Sequence, residues 1–255
     1  MTELGAPPSL WVVIPAAGAG RRFGGAVPKQ YLPLAGRLVI EHSLEVFLRH
    51  PATAGIVVAV AADDTFWQRL PVAGHPRVVT VTGGVERQHS VARALDAVPA
   101  EGDPWVAVHD AARPCLEAAD VDALLAALDA DICGCVLGVP ASDTLKQTDT
   151  DGDIQQTLSR TGIWQAHTPQ LFRRSLLQEA LGQCEAAQIM VTDEAGAVER
   201  LGGRPRMVSG GAGNIKITRG QDLPLAAAIL AAREAGTTSP DVNELDPAGS
   251  GSRST

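Results

Sequence analysis

Pro15–Ala16–Ala17–Gly18–Ala19–Gly20–Arg21–Arg22–Phe23–Gly24–Gly25 is a run of small residues that leads into two arginines, and Lys29 follows closely. Small residues let backbone N–H groups approach an anion. No acidic residue lies between Glu3 and Glu41, yet Arg21, Arg22, Lys29 and Arg37 do. In a chain of net charge −8, that local cation excess points to a polyanionic ligand such as a triphosphate. Two familiar phosphate loops do not fit. A dinucleotide loop, GxGxxG, would need glycine where Phe23 stands, and a P-loop would need lysine where Ala26 stands. A second chemical stretch is His109–Asp110–Ala111–Ala112–Arg113–Pro114. Asp110 could hold Mg2+, a hard cation that takes one or two carboxylates together with substrate phosphates. His109 is expected to orient or pack rather than ligate.

The elements that position these loops follow from hydrophobic patterning. Strands are expected at Trp11–Ile14, Ile56–Ala61, Val78–Thr82, Trp105–Val108, Ile132–Val139, Arg206–Ser209 and Ile215–Thr218. Helices are expected at Val39–Arg49, Glu86–Val98, Asp120–Leu128, Arg173–Leu181, Asp193–Leu201 and around Leu223–Leu230. Alternation of this kind implies an α/β fold, a Rossmann-like, mostly parallel sheet with helices on both faces. Ligands of such sheets sit beyond the carboxyl ends of the strands. The glycine loop, residues 83–86 and residues 109–114 follow such ends.

Residues 143–160 break the alternation. Two polar, Thr-rich runs flank Asp151–Gly152, a hairpin-turn signal. A polar hairpin is not stable alone, so it must pack on its own domain or on another subunit. Residues 1–236 are expected to form one domain, with a hairpin arm at 141–162. The tail 237–255, poor in apolar residues and rich in Pro, Gly and Ser, is expected to be disordered.

The acidic balance argues against nucleic acid or a membrane surface as partner. No apolar run reaches the ~18 residues of a membrane span. Met1–Ser9 lacks a basic region ahead of an apolar one, so no signal peptide is expected. Cys115, Cys133, Cys135 and Cys184 have neither CxxC nor zinc spacing and read as buried free thiols of a reducing compartment, hence a cytoplasmic protein. Cys133 and Cys135, two apart, are expected on one face of a strand.

Taken in order, PAAGAGRRF (15–23), PKQY (28–31), GG-x-ER (83–87) with Ser90, HDAARP (109–114), DTLK (143–146), TPQ (168–170), TDEA (192–195) and NIKIT (214–218) resemble the 2-C-methyl-D-erythritol 4-phosphate cytidylyltransferases of the non-mevalonate isoprenoid route. The matching stretches run from about residue 10 to 235. The resemblance implies a nucleotide-diphospho-sugar transferase type of fold and a homodimer whose arm reaches across the partner's site. It implies CTP and methylerythritol phosphate as substrates and Mg2+ as cofactor. Pro15, Ala16, Ala17, Gly18, Ala19, Gly20, Lys29, Gly83, Gly84, Ser90 and Asp110 would bind CTP. Asp110 would also hold the metal. Arg22, Lys29 and Lys216 would stabilise charge. Arg113, Thr144, Arg160, Thr168, Thr192 and Lys216 would meet the methylerythritol phosphate, with Thr144 and Arg160 coming from the other subunit.

Family members often carry an acid where this chain has Val85, which cannot accept a hydrogen bond from the cytosine amino group; they often carry another where it has Gly213, so Asp110 alone is expected to bind metal. The reaction would be in-line attack of the acceptor's phosphate oxygen on the α-phosphorus of CTP. That nucleophile is already anionic, so positioning and charge stabilisation are required rather than a general base. Two other readings share parts of the pattern. One is a cytidylyltransferase acting on another polyol phosphate, such as ribitol 5-phosphate. The other is a non-catalytic nucleotide-binding protein.

Overall fold

The computed structural model describes residues 9–18, 27–129 and 131–236. The strands are β1 (Leu10–Pro15), β2 (Pro33–Leu34), β3 (Arg37–Leu38), β4 (Thr53–Val60), β5 (Val78–Thr82), β6 (Trp105–Val108), β7 (Gly134–Pro140), β8 (Leu145–Thr148), β9 (Ile154–Leu158), β10 (Trp164–Arg173) and β11 (Arg206–Ser209). The helices are α1 (Val39–Arg49), α2 (Arg87–Asp96), α3 (Ala118–Ala126), α4 (Arg174–Ala186), α5 (Glu194–Arg200) and α6 (Asp222–Glu234).

Seven strands form the central sheet in the order β11-β7-β10-β6-β1-β4-β5. The chain runs outward from β1 to β4 and β5, then returns to place β6 on the other side of β1. The β1/β6 junction is therefore the point where the winding reverses, and ligands of open α/β sheets sit at such points. His109 N–H donates to the Val13 carbonyl at 2.9 Å and extends that junction to the start of the Asp110 loop.

Burial follows the period of two that a strand imposes. Val12 and Ile14 of β1 enter a core with Ile40, Leu44 and Phe47 of α1 and Leu124 of α3. Val13 enters the opposite core with Val91 and Leu95 of α2, Leu177 of α4 and Val198 of α5. Helices thus cover both faces, as expected. A smaller cluster joins Leu34, Val39, Ala112, Cys115, Ile217 and Ala226 under α6.

Three expectations are corrected. Strand β10 was not read from the sequence, and it pairs antiparallel with both β6 and β7 at the middle of the sheet. A proline argues against a central strand because it cannot donate to the ladder. Here Pro169 falls inside a register shift between Ala166 and Gln170, where the β7 ladder is interrupted. Residues 215–218 form no strand; Ile217 instead donates its N–H to the Ala112 carbonyl at 2.8 Å and buries its side chain in the third cluster. Cys133 lies before β7 and packs on the second core, whereas Cys135 is in the first, so the two do not share a face.

The hairpin at 143–160 forms as expected. Strands β8 and β9 pair only with each other, in register Leu145↔Leu158 and Lys146↔Thr157. The expected disordered tail, 237–255, lies outside the described residues.

Candidate active site

The glycine loop leaves β1 beside β4 and β5. Ala16 N–H donates to the Ala59 carbonyl at 2.7 Å, and Gly83 N–H to the Val60 carbonyl at 2.8 Å, so Ala16, Ala17 and Gly83 meet at the strand ends. A Cβ on Gly83 would lie 2.5 Å from Ala17 Cβ and 2.8 Å from Ser90 Oγ, so only glycine allows this approach. Ser90 Oγ accepts the Gly84 N–H at 3.0 Å and fixes the turn into α2. The expected CTP residues Pro15, Ala16, Ala17, Gly18, Gly83, Gly84 and Ser90 thus share one end of the sheet. Ala19, Gly20 and Arg22 lie outside the described residues. Gln30 had no expected role. Its buried amide donates to the carbonyls of Ala16 (2.8 Å) and Gly18 (3.3 Å), which satisfies both acceptors.

Asp110 sits past the end of β6, 7% exposed, amid three cations. Arg87 Nε lies 3.0 Å from Oδ1, Lys216 Nζ 2.8 Å from Oδ2 and Arg113 Nε 3.6 Å from Oδ2. Burial alone would raise its pKa; Arg87, Lys216 and Arg113 outweigh that and hold the carboxyl well below the usual range. It is a carboxylate at any working pH. Burial also acts on Arg87, but Glu194 and Asp110 more than offset it and stabilise its charged form.

The segment carrying Lys216 is fastened from three sides. Arg113 Nη1 donates to the Asn214 carbonyl at 2.7 Å, Asn214 Nδ2 to the Thr168 carbonyl at 2.9 Å, and Lys29 Nζ to the Ile217 carbonyl at 2.8 Å. Lys29, Asp110 and Lys216, which are remote in sequence, are thereby brought together.

His109 is fully buried, and burial pushes its pKa down to about 4. As a neutral ring it donates from Nε2 to the Arg113 carbonyl (3.2 Å) and accepts at Nδ1 from the Thr168 hydroxyl (3.2 Å). Thr168 Oγ1 in turn accepts the Asp110 N–H at 3.0 Å. The chain of bonds orients Asp110, which is the placement expected of His109.

A cavity of about 260 Å³ opens over this cluster, lined by Asp110, Arg113, Thr168, Thr192 and Lys216 together with Arg87 and His167. The expected acceptor residues Arg113, Thr168, Thr192 and Lys216 all reach it. Thr144 and Arg160 do not line it in this chain; Arg160 hydrogen-bonds the Ser142 carbonyl on the arm. His167, a lining residue, has a buried Nδ1 with no hydrogen-bond partner among the described residues. A polar ligand would supply one.

Sequence reasoning assigned no role to Arg87, Glu194 or His167. Arg87 stood inside the GG-x-ER stretch, but its partner Glu194 is 107 residues away. Among the described residues no group of three or more His, Cys, Asp and Glu side chains could hold a metal. One hard carboxylate with cavity space before it fits a cation that draws its other ligands from phosphates and water, as Mg2+ does. The buried Cys115 and Cys135 thiols, pushed up to about 11 and 12 by burial, are not available as nucleophiles.

The family model described as IspD, 2-C-methyl-D-erythritol 4-phosphate cytidylyltransferase, matches residues 10–232. A protein of that name from Pseudomonas putida strain GB-1 is 50% identical over 219 residues, covering 85% of this chain and 93% of the relative. The Pseudomonas fluorescens strain SBW25 protein of the same name is also 50% identical over 219 residues, with 85% and 93% covered. Among solved structures, the Francisella tularensis 2-C-methyl-D-erythritol 4-phosphate cytidylyltransferase aligns with TM-score 0.76 at 36% identity, covering 87% of this chain and 99% of that one. The Thermus thermophilus enzyme aligns with TM-score 0.72 at 32% identity, covering 89% and 100%.

Proposed function

The chain belongs to the 2-C-methyl-D-erythritol 4-phosphate cytidylyltransferase family, and from that premise we propose how its own residues carry the reaction. It transfers CMP from CTP to 2-C-methyl-D-erythritol 4-phosphate and releases pyrophosphate, in the formation of isoprenoid precursors. The observation that carries the residue assignment is the Asp110 cluster: one ionised carboxylate, Arg87, Arg113 and Lys216 around it, and Lys29 tied to the same segment through Ile217.

Two anions must meet here. The acceptor phosphate attacks the α-phosphorus of CTP, and charge builds on the leaving pyrophosphate. Lys29, Arg22 and the glycine loop are the groups assigned to the triphosphate. Lys216, which lines the cavity beside Asp110, offsets charge on the pentavalent centre. Arg113 and Thr192 hold the acceptor's phosphate, and Thr168 supports the wall behind it. Ala16, Ala17, Gly83, Gly84 and Ser90 enclose the cytosine. Preorganised cations act more strongly in such a water-poor cleft than in water. Asp110 is the residue that would hold Mg2+, which would supply charge neutralisation on the triphosphate oxygens.

The arm supports a homodimer. Every residue of β9 is exposed, including Ile154 and Leu158 as large apolar side chains, and Ile163 beyond it is exposed too. A two-stranded hairpin with open apolar side chains needs a surface to cover it. Thr144 and Arg160 then reach the partner's acceptor site. Among the described residues no helix is long and apolar enough to cross a membrane, and all four cysteines are free thiols; we take the location to be cytoplasmic.

The test is pyrophosphate release with CTP, Mg2+ and methylerythritol 4-phosphate, with ribitol 5-phosphate and the other nucleoside triphosphates as controls. Release that needs both CTP and methylerythritol phosphate is expected. Release with ribitol phosphate in its place would reassign the acceptor.

A further inference from the structure

Glu194 is a carboxylate 1% exposed at the first turn of α5. A charge so deep persists only when paired and hydrogen-bonded. Its partner is Arg87. Nη1 donates to Oε1 at 2.6 Å and Nη2 to Oε2 at 3.0 Å, the bidentate fork of an arginine–carboxylate pair. The same guanidinium gives its Nε–H to Asp110 Oδ1 at 3.0 Å. One arginine is thus divided between a buried carboxylate and the carboxylate at the centre of the site.

The division has two consequences. With both terminal nitrogens held, Arg87 cannot turn its fork onto Asp110, and Asp110, which lines the cavity, keeps lone-pair positions that Arg87 does not take. Glu194 also offsets part of the positive charge around Asp110, which already faces Lys216 and Arg113. Without Glu194 the freed fork would find Asp110 as its nearest carboxylate and compete directly with any cation there.

We infer that Glu194 is a positioning residue of this reaction: by taking both terminal nitrogens of Arg87 it limits Arg87 to one contact with Asp110 and keeps Asp110 open to a divalent cation. The inference rests on Asp110 being the metal-holding residue. Glu194 itself does not line the cavity.

The experiment uses the full chain and Mn2+ as probe. Mn2+ binding is measured by electron paramagnetic resonance with CTP present and no acceptor, so nothing turns over. Steady-state rates and thermal unfolding are measured beside it. Glu194→Gln is expected to weaken Mn2+ binding about tenfold and to lower kcat by a similar factor, the scale for losing a partner that orients a metal ligand. KM for the acceptor should stay within about twofold on that scale. In an Arg87→Gln background, Glu194→Gln should cost nothing further, because the fork it restrains is gone.

Unchanged Mn2+ binding and kcat, with only a lower unfolding temperature, would reduce Glu194 to a structural pair and overturn the inference. A double variant whose loss equals the product of the two single losses would do the same. If Glu194→Gln does not fold, Glu194→Asp keeps the charge and shortens the reach; unchanged Mn2+ binding in that variant overturns the inference. A wild-type protein that adds nothing to the Mn2+ binding of CTP alone also overturns it. Absence of pyrophosphate release by the wild type would instead refute the catalytic reading, and the Mn2+ measurement would still decide the role of Glu194.

Discussion

Lys29 Nζ donates to the Ile217 carbonyl at 2.8 Å, so the lysine that follows the glycine loop is anchored to the segment that carries Lys216. Lys29 and the Asp110 cluster are therefore tied to one segment, residues 216–217. The Asn214 side-chain amide and the Ile217 N–H fix that segment to the carbonyls of Thr168 and Ala112.

Lys29→Ala should lower kcat by roughly 10²–10³-fold, the scale for removing one preorganised charge-stabilising group. The fold should persist, because the Ile217 backbone keeps its bond to Ala112. Turnover near the wild-type rate would remove Lys29 from the site.

Arg160→Ala should raise KM for the acceptor and leave CTP affinity nearly unchanged. Its guanidinium is on the arm, bonded to the Ser142 carbonyl. Mixing inactive Lys29→Ala with Arg160→Ala should restore partial activity, because one site of a mixed dimer would be intact. No recovery on mixing would mean that the arm does not act across subunits.

Gly83→Ala would push a Cβ against Ala17 and Ser90, the wall assigned to the cytosine. KM for CTP should rise more than KM for the acceptor. An unchanged KM for CTP would move the base away from this wall.

Stability should fall as pH drops below neutrality. Burial pushes both His109 and His167 down to about 4, with Arg113 adding to the effect at His167. In the unfolded chain both titrate near 6.5. The unfolded state therefore binds more protons between those values. The stability of the neutral rings is complete above about pH 6.5 and is lost as pH falls toward 4, by at most about 1.4 kcal/mol per pH unit for each ring. Denaturant unfolding of His167→Gln across that range should show a shallower slope; an unchanged slope would contradict the assignment.

Much of this was legible in the sequence because charge contrast and strand ends mark a site locally. The acid-free stretch around Arg21, Arg22 and Lys29 and the isolated Asp110 stood out by composition. Strand β10 did not, since Pro169 and the polar residues beside it hide a strand whose pairing is interrupted there. Those same irregular residues let Thr168 face Asp110 and Asn214. The role of Arg87 was hidden for another reason: it depends on Glu194, and no local pattern links residues so far apart. Ile215–Thr218 looked like a strand because its apolar residues alternate, but Ile217 enters the third cluster without a ladder partner.

In the proposed reaction the site joins two anions by position and charge, and none of the described residues acts as a covalent nucleophile. The side chain nearest to that role is Thr168, beside His109, and its oxygen is already committed to the Asp110 N–H. The most direct test runs the reaction with CTP carrying sulfur in one configuration at the α-phosphorus and reads the configuration of the product. A single in-line displacement predicts inversion. Retention would require two displacements through a covalent nucleotidyl-protein, and it would contradict this account.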